Sequence, residues 1–363
     1  MIKLQRYTPI LKTTSAELKG LRELTDDVKD SITPIFELTR SRKTKAYTEG
    51  NIDKQLRLVA AAFPNRPFIL DLTGHPRHRN SQIRALQTSA NGYGAWVSFL
   101  HKKQSEFPAG IIPALQLNDE DVDTREEFYS RLRQQVTSLR GEFTAMAYRL
   151  PIGYEDITED LEQIKGELAL DQLIAVIDAG FIPQGKADVY EASATKDVNK
   201  LIAQGVKTIA VAGSSFPQNP TEYGEDEEGQ FRLEEVLFFK KVQKKTKQQL
   251  LYGDYATIHP EPSLQAGGQG WVPRIDLPCE ESILYRRSRK GKNEKTYANG
   301  YTRAGGRIAR LPEFSAVRSL SSDCWGIEQI QMAAEGSPPA LSPSHWISAR
   351  INIHINVRVA TTR

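Results

Sequence analysis

Lys12, Glu37, Asp71, Arg149, Asp178 and Asp254 share one feature: each stands at or just beyond the end of a short apolar run. Gln116 with Asn118, and Ser214 with Ser215, take the same place after two further runs, and His259 and Glu261 follow the last one. The carboxylates of Glu37, Asp71, Asp178 and Asp254 are hard oxygen donors suited to a divalent cation such as Mg²⁺ or Mn²⁺. Lys12 and Arg149 could hold a phosphate, with Ser214 and Ser215 as further ligand contacts. His259 is the natural general acid or base. Together these groups suit metal-assisted phosphoester hydrolysis. The plainer alternative is that the carboxylates cap the following helices or pair with Lys and Arg around a rim.

The elements that would gather these residues repeat eight times. The runs 7–12, 32–38, 67–72, 111–117, 143–149, 172–178, 208–212 and 250–255 are short, β-rich and nearly continuous in apolar residues. Continuous runs are what strands buried on both faces need, and parallel sheets bury both faces. Amphipathic stretches lie between them. Helices are predicted over 15–28, 53–62, 125–139, 158–168, 193–204 and 233–248, with two more around 81–87 and 95–103. Eight such units are the number that closes a barrel with a filled interior. The fold expected is therefore an α/β (β/α)₈ barrel. Its rival, an open doubly wound sheet, usually carries a Gly-rich turn after its first strand; here that turn reads KTTSAE. In a barrel the strand ends gather at one mouth, which makes the opening list a candidate site.

After about residue 260 the rhythm stops. The division expected is a barrel over 1–265 and a basic C-terminal extension over 266–363. Residues 259–270 are rich in Pro and Gly and read as a linker; 337–344 is a second Pro/Ser break. Residues 282–287 read as a strand. The end, 345–360, alternates apolar and polar residues like an edge strand, with a helix over its first half as the alternative. Arg286, Arg287, Arg289, Lys290 and Lys292 stand among tyrosines, a mixture suited to nucleic acid, although a solvated loop explains it nearly as well. Residues 240–247 (KKVQKKTK) read as the solvent face of a helix, its last lysines favoured by the dipole.

Composition and missing motifs narrow the field. The net charge is only +3, with 39% hydrophobic and 26% charged residues, ordinary for a soluble protein. Two isolated cysteines, Cys279 and Cys324, fit a reducing cytoplasm better than a zinc site. The N-terminus lacks the apolar stretch of a signal peptide, and no run of about 18 apolar residues predicts a membrane span. P-loop, dinucleotide-binding, HExxH and GxSxG patterns are absent. The basic run 39–45 follows the second strand and reads equally as a phosphate-binding loop or a solvated one. His75 and His78 after the third strand read first as part of a basic loop rather than a metal pair.

The opening segment carries a recognisable pattern: Tyr7, Pro9-Ile10-Leu11-Lys12, then Glu17, Leu18 and Leu21, then Pro34 and Glu37. With the later ILDL strand and the terminal Trp346, Asn352 and His354, it resembles the phage "Beta protein" family. That family is similar to the middle member of a Gop–Beta–repressor cassette carried by satellite phages. The resemblance implies a role in anti-phage defence, with toxin–antitoxin-like behaviour and a partner protein from the same cassette. It also marks Lys12, Glu17 and Glu37. Three readings follow: an enzyme acting on a phosphate-bearing ligand or nucleotide, a scaffold that holds a cassette partner, or a nucleic-acid binder through the basic C-terminal loop.

Overall fold

The computed structural model describes residues 4–261, 271–321 and 323–362. Eleven strands follow in chain order: β1 (Tyr7–Lys12), β2 (Ile35–Leu38), β3 (Phe68–Leu72), β4 (Ile111–Pro113), β5 (Met146–Pro151), β6 (Leu173–Phe181), β7 (Thr208–Ser214), β8 (Glu228–Arg232), β9 (Leu251–Asp254), β10 (Arg274–Pro278) and β11 (Ser282–Arg287). Eight of them form one parallel sheet in the order β4-β3-β2-β1-β9-β7-β6-β5. A parallel bridge between Ala114 and Ala147 joins its two edges, so the sheet nearly closes into the expected (β/α)₈ barrel. Each predicted run contributes a strand, with ends shifted by a few residues. The helices Arg125–Leu139 and Ser81–Gln87 fall where predicted, whereas 15–28 divides into Ser15–Arg22 and Asp26–Asp30.

Register explains the barrel interior. Ile10, Ile35, Ile69 and Ile112 are direct partners across four neighbouring strands. On the other half, Ala147 stands beside Ile174, and Val176 beside Ala210. These residues share one buried cluster with Ala212 and Tyr255. Bulky isoleucines face small alanines, which fills a narrow barrel without a void. The outward faces of the strands pack on the surrounding helices in a larger core.

The rest of the chain builds a second, smaller layer. β10, β11 and β8 form an antiparallel sheet, so a strand from between β7 and β9 pairs with the C-terminal part. The helices Ala298–Ala309, Pro312–Leu320 and Trp325–Ala334 pack with this sheet around a separate apolar cluster. Residues 262–270, most of the predicted Pro/Gly linker, lie outside the described residues.

The terminal segment is a correction. It is not an edge strand but one helix, Pro343–Thr361, buried along almost its whole length. Ile351 and Ile355 enter the barrel-side core, while Trp346, Ala349, Ile353 and Val357 enter the smaller one. Two apolar stripes on opposite faces of a helix give the same alternation in sequence as a strand. The close fit needs small residues: a Cβ on Gly20 would meet the Ser348 carbonyl oxygen at 2.7 Å, and one on Gly326 the Ala349 oxygen at 2.4 Å.

Candidate functional site

Strand parity decides which strand-end residues share the mouth. Side chains two positions apart face the same way. Lys12, Glu37 and Asp71 therefore stand one layer above Ile10, Ile35 and Ile69, and are register partners themselves. Arg149 and Asp178 stand likewise above Ala147 and Val176. All five line one cavity of about 570 Å³ at the C-terminal ends of the strands.

Arg149 occupies its centre. Its Nη1 donates to Asp71 Oδ2 at 2.9 Å and its Nη2 to Glu37 Oε1 at 2.8 Å and Asp178 Oδ2 at 2.7 Å. Its Nε also reaches Asp178, at 3.1 Å. Tyr255 accepts from Nη2 at 2.9 Å and donates to Asp178 at 2.6 Å. All three guanidinium nitrogens are engaged. Burial works against the charged guanidinium, but Tyr255, Asp178, Glu37 and Asp71 more than offset it and push its pKa well above the ordinary value. Gly180, with φ of +59°, lets β6 turn after Asp178 and donates its N–H to Asp178 Oδ1 at 2.9 Å.

Lys12 contrasts with Arg149. Its side chain is only 5% exposed and its ammonium lies 3.6 Å from Glu37 Oε2 and 5.3 Å from the centre of the Tyr255 ring. Among the described residues Nζ has no hydrogen-bond partner. A buried donor without a partner costs about 1–3 kcal/mol, more when charged, which is tolerated where a ligand completes it.

The carboxylates differ in proton affinity. Burial acts to raise Glu37, but Lys12 and Arg149 prevail and hold it below the usual range. At Asp71 burial prevails over Arg149, and its pKa rises. Glu17 lies behind the strand end and accepts from the Lys12 backbone N–H at 2.6 Å and the Thr14 hydroxyl at 3.0 Å; burial pushes it up to about 7. His75 lines the cavity, and its Nδ1 accepts from the Arg77 N–H. His78 is driven down to about 4 by burial and by Lys12.

Of the four carboxylates considered as metal donors, Glu37, Asp71 and Asp178 pair with the Arg149 guanidinium, and among the described residues no group of three or more His, Cys, Asp or Glu is arranged to hold a metal. Asp254 is not in the mouth. It lies on the opposite parity of β9, outside the barrel, where it accepts from Tyr7 at 2.7 Å, the Ala256 N–H at 2.8 Å and His354 Nε2 at 2.6 Å. Burial opposes its charge, but His354 and these donors hold its pKa low, while burial pushes His354 down. The pair is thus a neutral imidazole donating to a carboxylate, and it ties the terminal helix to the barrel.

The other expected residues are also placed. Ser214 donates to the Ile258 carbonyl at 3.0 Å, and Ser215 bonds Glu235 at 2.5 Å, so both hydroxyls serve the fold. His259 packs at a tilt against Phe181, ring centres 4.5 Å apart, and shares its Nδ1 with Glu261 backbone atoms; Pro260 and Glu261, rather than His259, line the cavity. Gln116 lies within 3.4 Å of Asp71, while Asn118 bonds the Gln87 carbonyl. Arg287 and Arg289 both pair with Asp226, and Arg286 with Glu228. Lys290 lies over Tyr297, and Lys292 is exposed. The basic loop is thus largely neutralised by acids from 226–228. Sequence reasoning missed Tyr255 as a site residue; strict alternation from Leu251 and Gly253 would have turned it inward.

Among the described residues no helix is long and apolar enough to cross a membrane. One solved structure, a mandelate racemase/muconate lactonizing protein from Herpetosiphon aurantiacus, aligns with a TM-score of 0.37 and 14% identity over 80% of this chain and 65% of that one. "Protein beta" of Enterobacteria phage P4 is 27% identical over 361 residues, 97% of this chain and 92% of that protein. The family model described as Beta protein matches residues 7–360. The chain belongs to the Beta protein family.

Proposed function

We propose that the barrel mouth binds a small polar ligand carrying a carbonyl or carboxylate oxygen, and that proton transfer takes place there. The observation that carries this reading is the buried Lys12 ammonium at the cavity, which has no hydrogen-bond partner among the described residues. Lys12 meets the ligand oxygen and stabilises negative charge that develops on it. Asp71, raised by burial and held against Arg149 and Gln116, exchanges the proton. Arg149 is a positioning residue, with every nitrogen already bound. A multiply charged phosphate suits this mouth less well. Lys12 and Arg149 face four carboxylates, Glu37, Asp71, Asp178 and Glu261, so the lining carries more negative than positive charge.

The test is a thermal-shift screen of 2-oxo acids, amino acids and aldoses at millimolar concentration against wild type and Lys12→Met. One class should raise the wild-type Tm by about 2 °C and leave the variant unmoved. Equal shifts in both proteins, or none in wild type, count against the reading.

At the level of process, family membership supports a role in a phage-borne, toxin–antitoxin-like defence cassette with a partner from the same cassette. Co-expression with the neighbouring gene products should retain a complex through affinity purification; a chain that emerges alone argues against the partner.

A further inference from the structure

At the opposite end of the barrel lies a second cavity of about 770 Å³, outside any role derived above. It is formed where β1 and β9 begin, between the helix Glu234–Thr246 and the end of the terminal helix. Two buried donors line it. Tyr252 and Arg358 are each only 2% exposed; Arg358 Nε has no hydrogen-bond partner among the described residues, and the Tyr252 hydroxyl makes no hydrogen bond of ordinary geometry there, its nearest acceptor being the buried Asp254 carboxylate. Arg358 is held in place by its Nη2, which donates to the Cys279 and Glu280 carbonyls. The Phe239 ring packs edge-on against Tyr252 at 5.1 Å and, with Val236 and Leu250, supplies an apolar wall.

The rim is cationic. Arg6, Lys240, Lys244 and Lys247 are exposed around the cavity, against a single lining carboxylate among the described residues, Glu280. Lys240 pairs with Glu281 at 2.6 Å, but no acid partners Arg6, Lys244 or Lys247 among the described residues. The helix dipole accounts for lysines near a helix C-terminus, yet it accounts for neither buried donor. A solvated helix face, the sequence expectation for 240–247, likewise leaves the cavity beneath unexplained.

We propose that this cavity binds a phosphate-bearing ligand of nucleotide size. The volume falls within the range of small-molecule sites, roughly 300–1,000 Å³. The buried Arg358 and Tyr252 donors would meet phosphate oxygens, the free lysines and Arg6 would offset the charge, and the apolar wall would take a base. Burial, together with the Asp254 and Glu235 carboxylates, raises the Tyr252 pKa well above the ordinary value, so its hydroxyl stays protonated at neutral pH.

Isothermal titration of the full chain with ADP, and separately with inorganic pyrophosphate, tests the assignment. ADP should bind, and more tightly than pyrophosphate if the apolar wall contributes. Lys244→Glu/Lys247→Glu, at exposed positions where folding is not at stake, should weaken ADP binding at least about tenfold. Tyr252→Phe should weaken it by several fold with an unchanged melting temperature. Raising the salt concentration should weaken wild-type binding. Absence of binding by either probe, or wild-type affinity in both variants, would overturn the proposal.

Discussion

The two ends of the barrel handle positive charge in opposite ways. At the mouth, Arg149 is bound by three carboxylates and Tyr255, and the Lys12 ammonium has no hydrogen-bond partner among the described residues. At the far end Arg6, Lys244 and Lys247 have no acidic partner, and Arg358 keeps its Nε free among the described residues. A cation that closes a network organises the site, whereas one left open is available to a ligand. Guanidiniums at the two ends of the barrel can therefore serve different purposes, and only the partners tell them apart.

The largest effect should follow from breaking the closed network. Arg149→Met leaves three buried carboxylates without their counter-charge and should cost about 3–5 kcal/mol in urea unfolding at pH 7. The loss should shrink on acidification, as the Glu37 and Asp71 carboxylates take up protons. An unchanged midpoint at pH 7 would show that the carboxylates do not depend on Arg149.

Glu17, beneath Lys12, supplies a smaller, pH-dependent effect. Its folded pKa of about 7 lies above the unfolded value of about 4.5, so the folded state binds more protons between these limits. Stability should therefore fall as pH rises from 4.5 to 7, by on the order of 2–3 kcal/mol from this group. Glu17→Gln should remove that part of the slope. A slope that persists in full assigns it elsewhere, Glu235 being the next group that burial raises to about 7.

Changes at the open cations should be smaller still for stability. Lys12→Met removes one of the two counter-charges of the buried Glu37 carboxylate but leaves it Arg149, and should cost less than Arg149→Met, about 1–2 kcal/mol. Lys244→Glu/Lys247→Glu, which reverses two charges at a helix C-terminus, should stay within about 1 kcal/mol. A large loss in either would mean that these cations are structural and that the contrast between the ends fails.

Much of this was legible in sequence for a physical reason. Eight continuous apolar runs predict strands buried on both faces, and the polar residue closing each run marks the mouth. Parity was the missing step. Asp254 closes its run as Asp71 does, but it sits on the outward face and meets His354 from about a hundred residues later. The terminal helix was misread because INIHINV serves two cores at once, and its alternation records two faces of a helix. The cavity at the far end could not be read at all. Its donors, Tyr252 and Arg358, come from opposite sides of a contact that only tertiary structure makes.

Crystals soaked in tungstate, a phosphate analogue visible by anomalous scattering, test the contrast most directly. The account predicts a strong peak within hydrogen-bond reach of Arg358 Nε and Tyr252 OH, and none among Arg149, Glu37, Asp71 and Asp178. A peak at the mouth on Lys12 and Arg149, with the far cavity unmarked, would contradict it.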